Sequence, residues 1–459
     1  MTQTVEMPLW LLVLMLVLAV IAALDKVMIP SVRWFFRRRL EKAVARLNTR
    51  LERPIQPFKL ARRYDMIQRL IYDPQVSQAV AAHAKETGVP ENVAFEEARS
   101  YAREIVPSFS ASAYFGFAIR AARFLSNALY RVRLSQYDED GFKNIDPDAT
   151  VIFVMNHRSN MDYVLVTYLV AERSALSYAV GEWARVWPLS RLIRAMGAYF
   201  IRRKSRNELY RKVLARYVGL ATDAGVTQAV FPEGGLSLSG ALMPPKLGLL
   251  KYIIDGFDSE VGDVVFVPVA LNYDRVLEDQ ILTTAANDPE HRFKARIGVI
   301  AGKTIKQICL RLIGRYHKFG YAAVSTGEPL SLRDFSQGQG GCDLTVPLAE
   351  ALIKRIGAVV PVLPVPVLSS LVLNNAPMNH AELEHAFDVM IDVLPAANVR
   401  IPRHDKENSI KFGLRHMVAR GLVTENDGRY TLNPNKREIL QFYANSIQHL
   451  MPQSDGREV

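Results

Sequence analysis

Apolar and polar positions divide the chain into four stretches. Met7 to Leu24, MPLWLLVLMLVLAVIAAL, is 18 residues without a charged side chain. As one helix it extends about 27 Å at roughly 1.5 Å per residue, nearly the depth of a bilayer core, and predicts a membrane helix over 7–24. For so short a run, a buried N-terminal helix is the alternative. Between Tyr64 and Arg133 apolar residues recur three and four positions apart, as in MIQRLIYDPQVSQAVAAHA and AYFGFAIRAARFLSNALY, the period of amphipathic helices. The turn-rich YDEDGFKNIDPD, Tyr137 to Asp148, closes that stretch. Short β-rich runs then alternate with helical segments: TVIFVM at 150, ALSYAV at 175, GAYFI at 197, QAVF at 228, VVFVPVAL at 264 and YAAVST at 321. This alternation predicts an α/β fold, a largely parallel sheet flanked by helices, with functional residues at strand ends. After GQGG at 338 the pattern is helical again, apart from Pro361 to Pro366. The expected organisation is a membrane helix at 7–24, a basic collar and helical lead-in at 26–136, an α/β domain at 137–335 and a mostly helical C-terminal region at 343–459.

Charge sharpens the first stretch. Of a net +11 over 459 residues, Lys26 to Arg63 holds twelve Lys and Arg against Glu41 and Glu52. The first six residues carry only Glu6, which argues against a cleaved signal peptide. Positive charge following the apolar run places the bulk of the chain on the cytoplasmic side of a membrane, the inner membrane if the source is bacterial. Trp10, Trp34, Phe35 and Phe36 are then expected at headgroup level, and the collar against anionic lipid headgroups. With 49% hydrophobic and 22% charged residues, a wholly disordered chain is excluded. Two cysteines, Cys309 and Cys342, make neither a disulfide framework nor a four-cysteine zinc site, and HAELEH at 380 lacks the HExxH spacing. No metal is expected.

Chemistry concentrates in NHRSNMD, Asn156 to Asp162, between the run TVIFVM and a helical YVLVTYLV. With His157 in the turn and Asp162 in the first helical turn, the carboxylate can fold back onto the imidazole. Such a pair fixes the ring tautomer and leaves the second nitrogen to take a proton from a hydroxyl. Helix capping by Ser159 or Asp162 is the structural alternative. In GAYFIRRK, Arg202, Arg203 and Lys204 follow a short run, where an arginine fork either grips phosphate or forms a solvated edge. In FPEGG, Glu233 is charged among apolar neighbours, and Gly234 and Gly235 allow close backbone approach to a ligand or simply a turn.

NHRSNMD at 156, GAYFIRR at 197, FPEGGLSLSG at 231 and VPVALNYDRV at 267 fall in that order over about 120 residues. Together they resemble the four blocks of the glycerolipid acyltransferases. YTLNP and LQFYANSIQHL, the latter Leu440 to Leu450, are similar to the C-terminal region of bacterial glycerol-3-phosphate acyltransferases. The resemblance implies acyl transfer from a coenzyme A or acyl-carrier-protein thioester to a glycerophosphate hydroxyl, a step of phospholipid biosynthesis, with no further cofactor. Carried over by position, His157 is the base and Asp162 its orienter. Arg203 matches the phosphate-gripping position beside Arg202, and Glu233, Gly234, Gly235 and Ser237 match the acceptor-binding block. The third block departs from the family's EGGRSRTG: Leu236 and Leu238 replace two arginines. This opens lysophosphatidate as an alternative acceptor, or a noncatalytic membrane scaffold as an alternative role. Pro268 and Tyr273 of the fourth block either shape the substrate pocket or belong to the sheet core.

Competing motifs are weaker. AGKTI at 301 has Gly298 one residue too close for a phosphate-binding loop, and GLSLS at 235 lacks the second glycine of a nucleophile elbow. Ser409 to Pro434 resembles a winged helix, but His404 to Leu440 holds seven basic against five acidic residues, too little positive charge for a duplex. No nucleic-acid partner is expected.

Overall fold

A computed structural model of the chain describes residues 7–23, 29–134, 143–170, 174–187, 189–202, 207–287, 302, 318–338, 343–401 and 406–452. The chain divides into two compact units, residues 1–55 and 56–459. In the first, Leu9–Ala23 and Ile29–Asn48 are helical. The described part of the apolar run is a helix of 15 residues, about 22 Å at roughly 1.5 Å per residue against a bilayer core of about 30 Å. Among the described residues no helix is long and apolar enough to cross a membrane, so the expected spanning helix is not present in them. The helix is instead solvent-exposed around its circumference, with Leu9, Trp10, Met15 and Leu18 all outward. Of the collar, Arg39, Lys42, Arg46 and Arg50 are exposed.

The second unit is built on an eight-stranded sheet. Its strands are β1 (Arg131–Leu134), β2 (Thr150–Met155), β3 (Ser177–Gly181), β4 (Tyr199–Ile201), β5 (Gln228–Val230), β6 (Val264–Tyr273), β7 (Tyr321–Thr326) and β8 (Leu330–Ser331), in the order β1-β7-β6-β2-β5-β3-β4 with β8 on β6. The six runs expected to be strands are β2 to β7. Continuous apolar runs without alternation belong in a sheet covered on both faces, and every residue of β2 and β6 is buried. Pairing is parallel except where β7 and β8 meet β6. Pro268 has no N–H to give the ladder, and it falls in the gap between the β8 pairing at 265–266 and the β7 pairing at 269–273. β1 comes from the end of the helical lead-in.

Helices Pro74–Thr87, Glu91–Ile105 and Glu208–Asp223 pack their apolar residues into one core, and the C-terminal helices Pro364–Asn375 and Arg437–Gln448 into another. The C-terminal region also carries a small antiparallel sheet, β9 (Met378–Asn379), β10 (Val423–Asn426) and β11 (Arg429–Leu432). Lys59 departs from the expectation that the collar's charges face lipid headgroups. It is buried, donates to the Ala175 carbonyl at 2.6 Å and lies over the Phe109 ring, and burial holds its pKa well down.

Candidate active site

β2 ends at Met155, and the five residues to Asn160 turn the chain into the helix Met161–Leu169. Asn156 fixes the start of this turn: its amide donates to the Leu271 carbonyl at 3.0 Å and accepts from the Leu271 N–H at 2.8 Å, stitching β2 to β6. Asp162, in the first helical turn, lies 2.9 Å through Oδ2 from His157 Nδ1. The same oxygen accepts the N–H groups of Arg158 at 2.7 Å and Ser159 at 3.0 Å, and Oδ1 accepts the Tyr273 hydroxyl at 2.6 Å. The carboxylate meets the imidazole but does not cap its own helix: the N–H groups it accepts lie ahead of Met161, and it is the Ser159 hydroxyl that accepts the Met161 N–H, at 3.1 Å. The two backbone donors and the Tyr273 hydroxyl fix the orientation of the carboxylate, an acceptor that directs Nδ1–H toward Asp162 and makes Nε2 the basic nitrogen of His157.

A second carboxylate holds the loop from beneath. Glu233 accepts the His157 N–H at 3.0 Å through one oxygen and the Met243 N–H at 3.2 Å through the other. Burial pushes its pKa up to about 7, against the pull of Arg158 and the two backbone donors. Ser237 donates its N–H to the His157 carbonyl at 2.9 Å and its hydroxyl to Ala241. Glu233 and Ser237 therefore position the histidine through its backbone. Glu278, which sequence reasoning missed, accepts the Ser159 hydroxyl at 2.8 Å and the Asn160 amide at 3.0 Å; burial raises its pKa. Its signal in the sequence is slight, an acidic residue five positions beyond Tyr273.

The C-terminal helix Arg437–Gln448 completes the support. Asn445 donates to the Ser239 carbonyl at 2.9 Å, Asn272 to the Ser446 hydroxyl at 3.2 Å, and Arg158 to the Ser446 carbonyl at 3.4 Å. Gly240, at φ +80°, lies so close that a Cβ there would sit 1.8 Å from the Phe442 carbonyl oxygen. The third block can lie on this helix only as glycine.

The imidazole is 1% exposed. Phe231 stacks on it at 4.1 Å, Tyr163 meets it edge-on at 5.5 Å, and the two aromatic rings meet at 5.0 Å. A cavity flanks each ring. One, of about 290 Å³, is lined by Tyr163 and Asn160 together with apolar residues of Ser112–Ala118, Ile119–Leu129 and Leu189–Ala195. The other, of about 270 Å³, is lined by Phe231, Gly234, Arg202, Arg211 and Lys246. Gly234, at φ +66°, lets the Lys246 stem cross it, since a Cβ would lie 2.6 Å from Lys246 Cδ.

The two blocks expected to bind the acceptor divide their roles. Arg202 lines the basic cavity, but its fork is engaged by Glu104, with Nε and Nη2 donating at 2.9 and 2.6 Å, and it lies between the Tyr101 and Tyr210 rings. Gly235 is half-buried, and Leu236 and Leu238 pack against the core. Arg203, Cys309 and Cys342 lie outside the described residues. Among the described residues no cluster of metal-ligating side chains occurs.

Residues 138–272 match the acyltransferase family model, and residues 310–453 match that of the glycerol-3-phosphate acyltransferase C-terminal region. Curated relatives named glycerol-3-phosphate acyltransferase include those of Xylella fastidiosa strain M23, 29% identical over 65% of this chain and 34% of that protein, and Pseudomonas syringae pv. tomato, 28% identical over 61% and 33%. The chain spans about a third of the length of the curated relatives it matches. The crystal structure of the 1-acyl-sn-glycerophosphate acyltransferase of Thermotoga maritima aligns at 20% identity and a TM-score of 0.30, over 52% of this chain and 78% of that one.

Proposed function

We propose that this chain, an acyltransferase domain joined to a glycerol-3-phosphate acyltransferase C-terminal region, moves a fatty acyl group from a thioester to a hydroxyl of glycerol 3-phosphate. The observation that carries this reading is the His157 Nδ1 to Asp162 contact at 2.9 Å, with the carboxylate held by two backbone N–H groups on the same oxygen and by the Tyr273 hydroxyl on the other. Nε2 takes the proton of the acceptor hydroxyl as its oxygen attacks the thioester carbon. The C–S bond then breaks, the thiolate leaves, and the imidazolium returns its proton to the thiolate. Asp162 stabilises the imidazolium between these steps. A thiolate leaves readily, so the mechanism uses no acyl-enzyme.

The two cavities supply the rest. The apolar one suits the acyl chain, and the basic one suits the acceptor phosphate, with Lys246 taking the part of the arginines that Leu236 and Leu238 replace. His157 lines neither cavity, so substrates reach it when Phe231 and Tyr163 turn aside. The donor, on coenzyme A or acyl-carrier protein, is a substrate, and the reaction uses no resident cofactor. The chain acts at the cytoplasmic face of a membrane, inserting the exposed apolar helix Leu9–Ala23 and setting the collar against anionic headgroups.

Acyl transfer by the detergent-solubilised chain tests this, with one thioester offered together with glycerol 3-phosphate, dihydroxyacetone phosphate or a lysophosphatidate. Acylated glycerol 3-phosphate is the expected product. Acylation of lysophosphatidate alone would instead assign the site to the second step, the reading that the two leucines favour. A chain inactive on all acceptors would be a scaffold.

A further inference from the structure

The mouth of the apolar cavity carries a surface that acyl transfer does not explain. Phe117, Phe124, Val186, Trp187 and Leu192 are all exposed, Trp187 at 78%. Phe117 and Leu192 also line the cavity. Phe124 continues the stripe that runs from Phe117 in Ser112–Ala118 through Ala121 of the helix Ile119–Leu129. Val186 and Trp187 precede the helix Leu189–Ala195, the Ser190 N–H reaching back to the Val186 carbonyl. The two elements are joined where Ser108 and Ser110 donate to the carbonyls of Arg194 and Ala195.

Charge on these elements has one sign. Residues 112–129 and 185–202 together contain six arginines and no Asp or Glu, and Arg120, Arg123, Arg185 and Arg191 are exposed. Glu104 engages Arg202 and Arg185 at once, which leaves that corner positive as well. Exposed aromatics ringed by arginine suit the headgroup layer of a membrane, where ring bodies enter the acyl region and guanidinium groups meet phosphate. A soluble partner would have no use for a mouth that opens into an apolar cavity.

We propose that this rim is a second membrane-contact site, in which Trp187, Phe124 and their neighbours dip into an anionic bilayer so that the cavity opens directly into the acyl layer. The proposal rests on the reading of that cavity as the acyl site. It gives the acyl chain of substrate or product a path to lipid that avoids water.

The test uses the full chain with Cys309→Ser and Cys342→Ser, and a single cysteine introduced by Trp187→Cys, Phe124→Cys or, as control, Val261→Cys at an exposed site. Each carries an environment-sensitive fluorophore, and phosphatidylcholine vesicles are offered with and without phosphatidylglycerol. On anionic vesicles the labels at 187 and 124 are expected to shift blue, to brighten several-fold and to be quenched by spin-labelled lipid, while the label at 261 stays unchanged. Labels at 187 and 124 that behave like the one at 261 on vesicle-bound chain overturn the proposal, as does failure to bind vesicles. A blue shift without vesicles that grows with protein concentration also overturns it, assigning the rim to contact between copies. Arg120→Glu with Arg191→Glu, in the otherwise unaltered chain, is expected to lose vesicle-stimulated transfer while keeping transfer of a short water-soluble donor in detergent. Quenching requires no catalysis, so a quenched but inactive chain would refute the enzymatic reading and leave the rim standing.

Discussion

The two cavities beside His157 are nearly equal in volume and opposite in chemistry. The one behind Tyr163 is walled mostly by aliphatic and aromatic side chains, with Asn160 and Thr167 among them and no charged residue. The one behind Phe231 holds Lys246, Arg202 and Arg211 within its lining. On the function proposed above, the difference teaches how a single buried base would serve two unlike substrates: chain and phosphate would be sorted into separate cavities, and only the reacting oxygen and carbonyl carbon would need to meet at the ring. It also explains why the third block can carry Leu236 and Leu238. Both pack against the core, and the cations of the basic cavity are Lys246, Arg202 and Arg211.

Asp162→Asn should strike both sides alike, because it disturbs the base itself. A loss of roughly 10²–10⁴ in kcat is expected for every donor and acceptor, with KM little changed. A loss confined to one substrate would mean that Asp162 serves a single cavity.

Glu233, between Pro232 and Gly234 of the basic cavity's wall, gives a signature in pH. Its folded pKa, about 7 against an ordinary 4.5, means that the folded chain keeps a proton which the unfolded chain releases. Its contribution to stability is therefore highest below about pH 4.5 and is lost as pH rises to about 7, by about 3 kcal/mol at most. Asp274, also raised to about 7 by burial, acts with the same sign. The thermal midpoint should fall over that interval, and Glu233→Gln should flatten the fall whatever its effect on absolute stability. An unchanged slope would contradict the assignment of Glu233 as a buried strut.

Lys246→Ala should raise KM for phosphate acceptors by roughly 10-fold or more, the value of one charge-assisted contact of about 1.5–3 kcal/mol, and leave the donor KM alone. Ala121→Phe should do the reverse, discriminating against long acyl chains by about 10-fold through lost cavity space, with KM for the acceptor unchanged. Crossed effects in steady-state kinetics with a donor series would dissolve the division of labour between the cavities.

Much of this was legible in the sequence, for local reasons. Strands β2 to β7 are continuous apolar runs bounded by turn residues, and His157 and Asp162 lie within one strand-to-helix turn, so near neighbours decide their geometry. What escaped depends on distant partners. Nothing in GAYFIRRK shows that Arg202 is engaged by Glu104, 98 positions earlier. Nothing in FPEGG shows that both Glu233 oxygens are taken by backbone N–H groups. Lys59 reads as one more charge of the collar, yet it reaches a carbonyl 116 positions away. The seating of Arg437–Gln448 under the third block depends on Gly240 against Phe442 and on Asn445 reaching the Ser239 carbonyl, about 200 positions apart in the chain. The apolar run at 7–24 has the composition of a membrane helix, but among the described residues no helix is long and apolar enough to cross a bilayer.

The most direct test is the rate of acyl transfer to glycerol 3-phosphate by His157→Ala beside the unaltered chain, with circular dichroism to confirm that both are folded. The account predicts a folded variant without measurable transfer. A folded His157→Ala that still acylates glycerol 3-phosphate at a rate near that of the unaltered chain would contradict it.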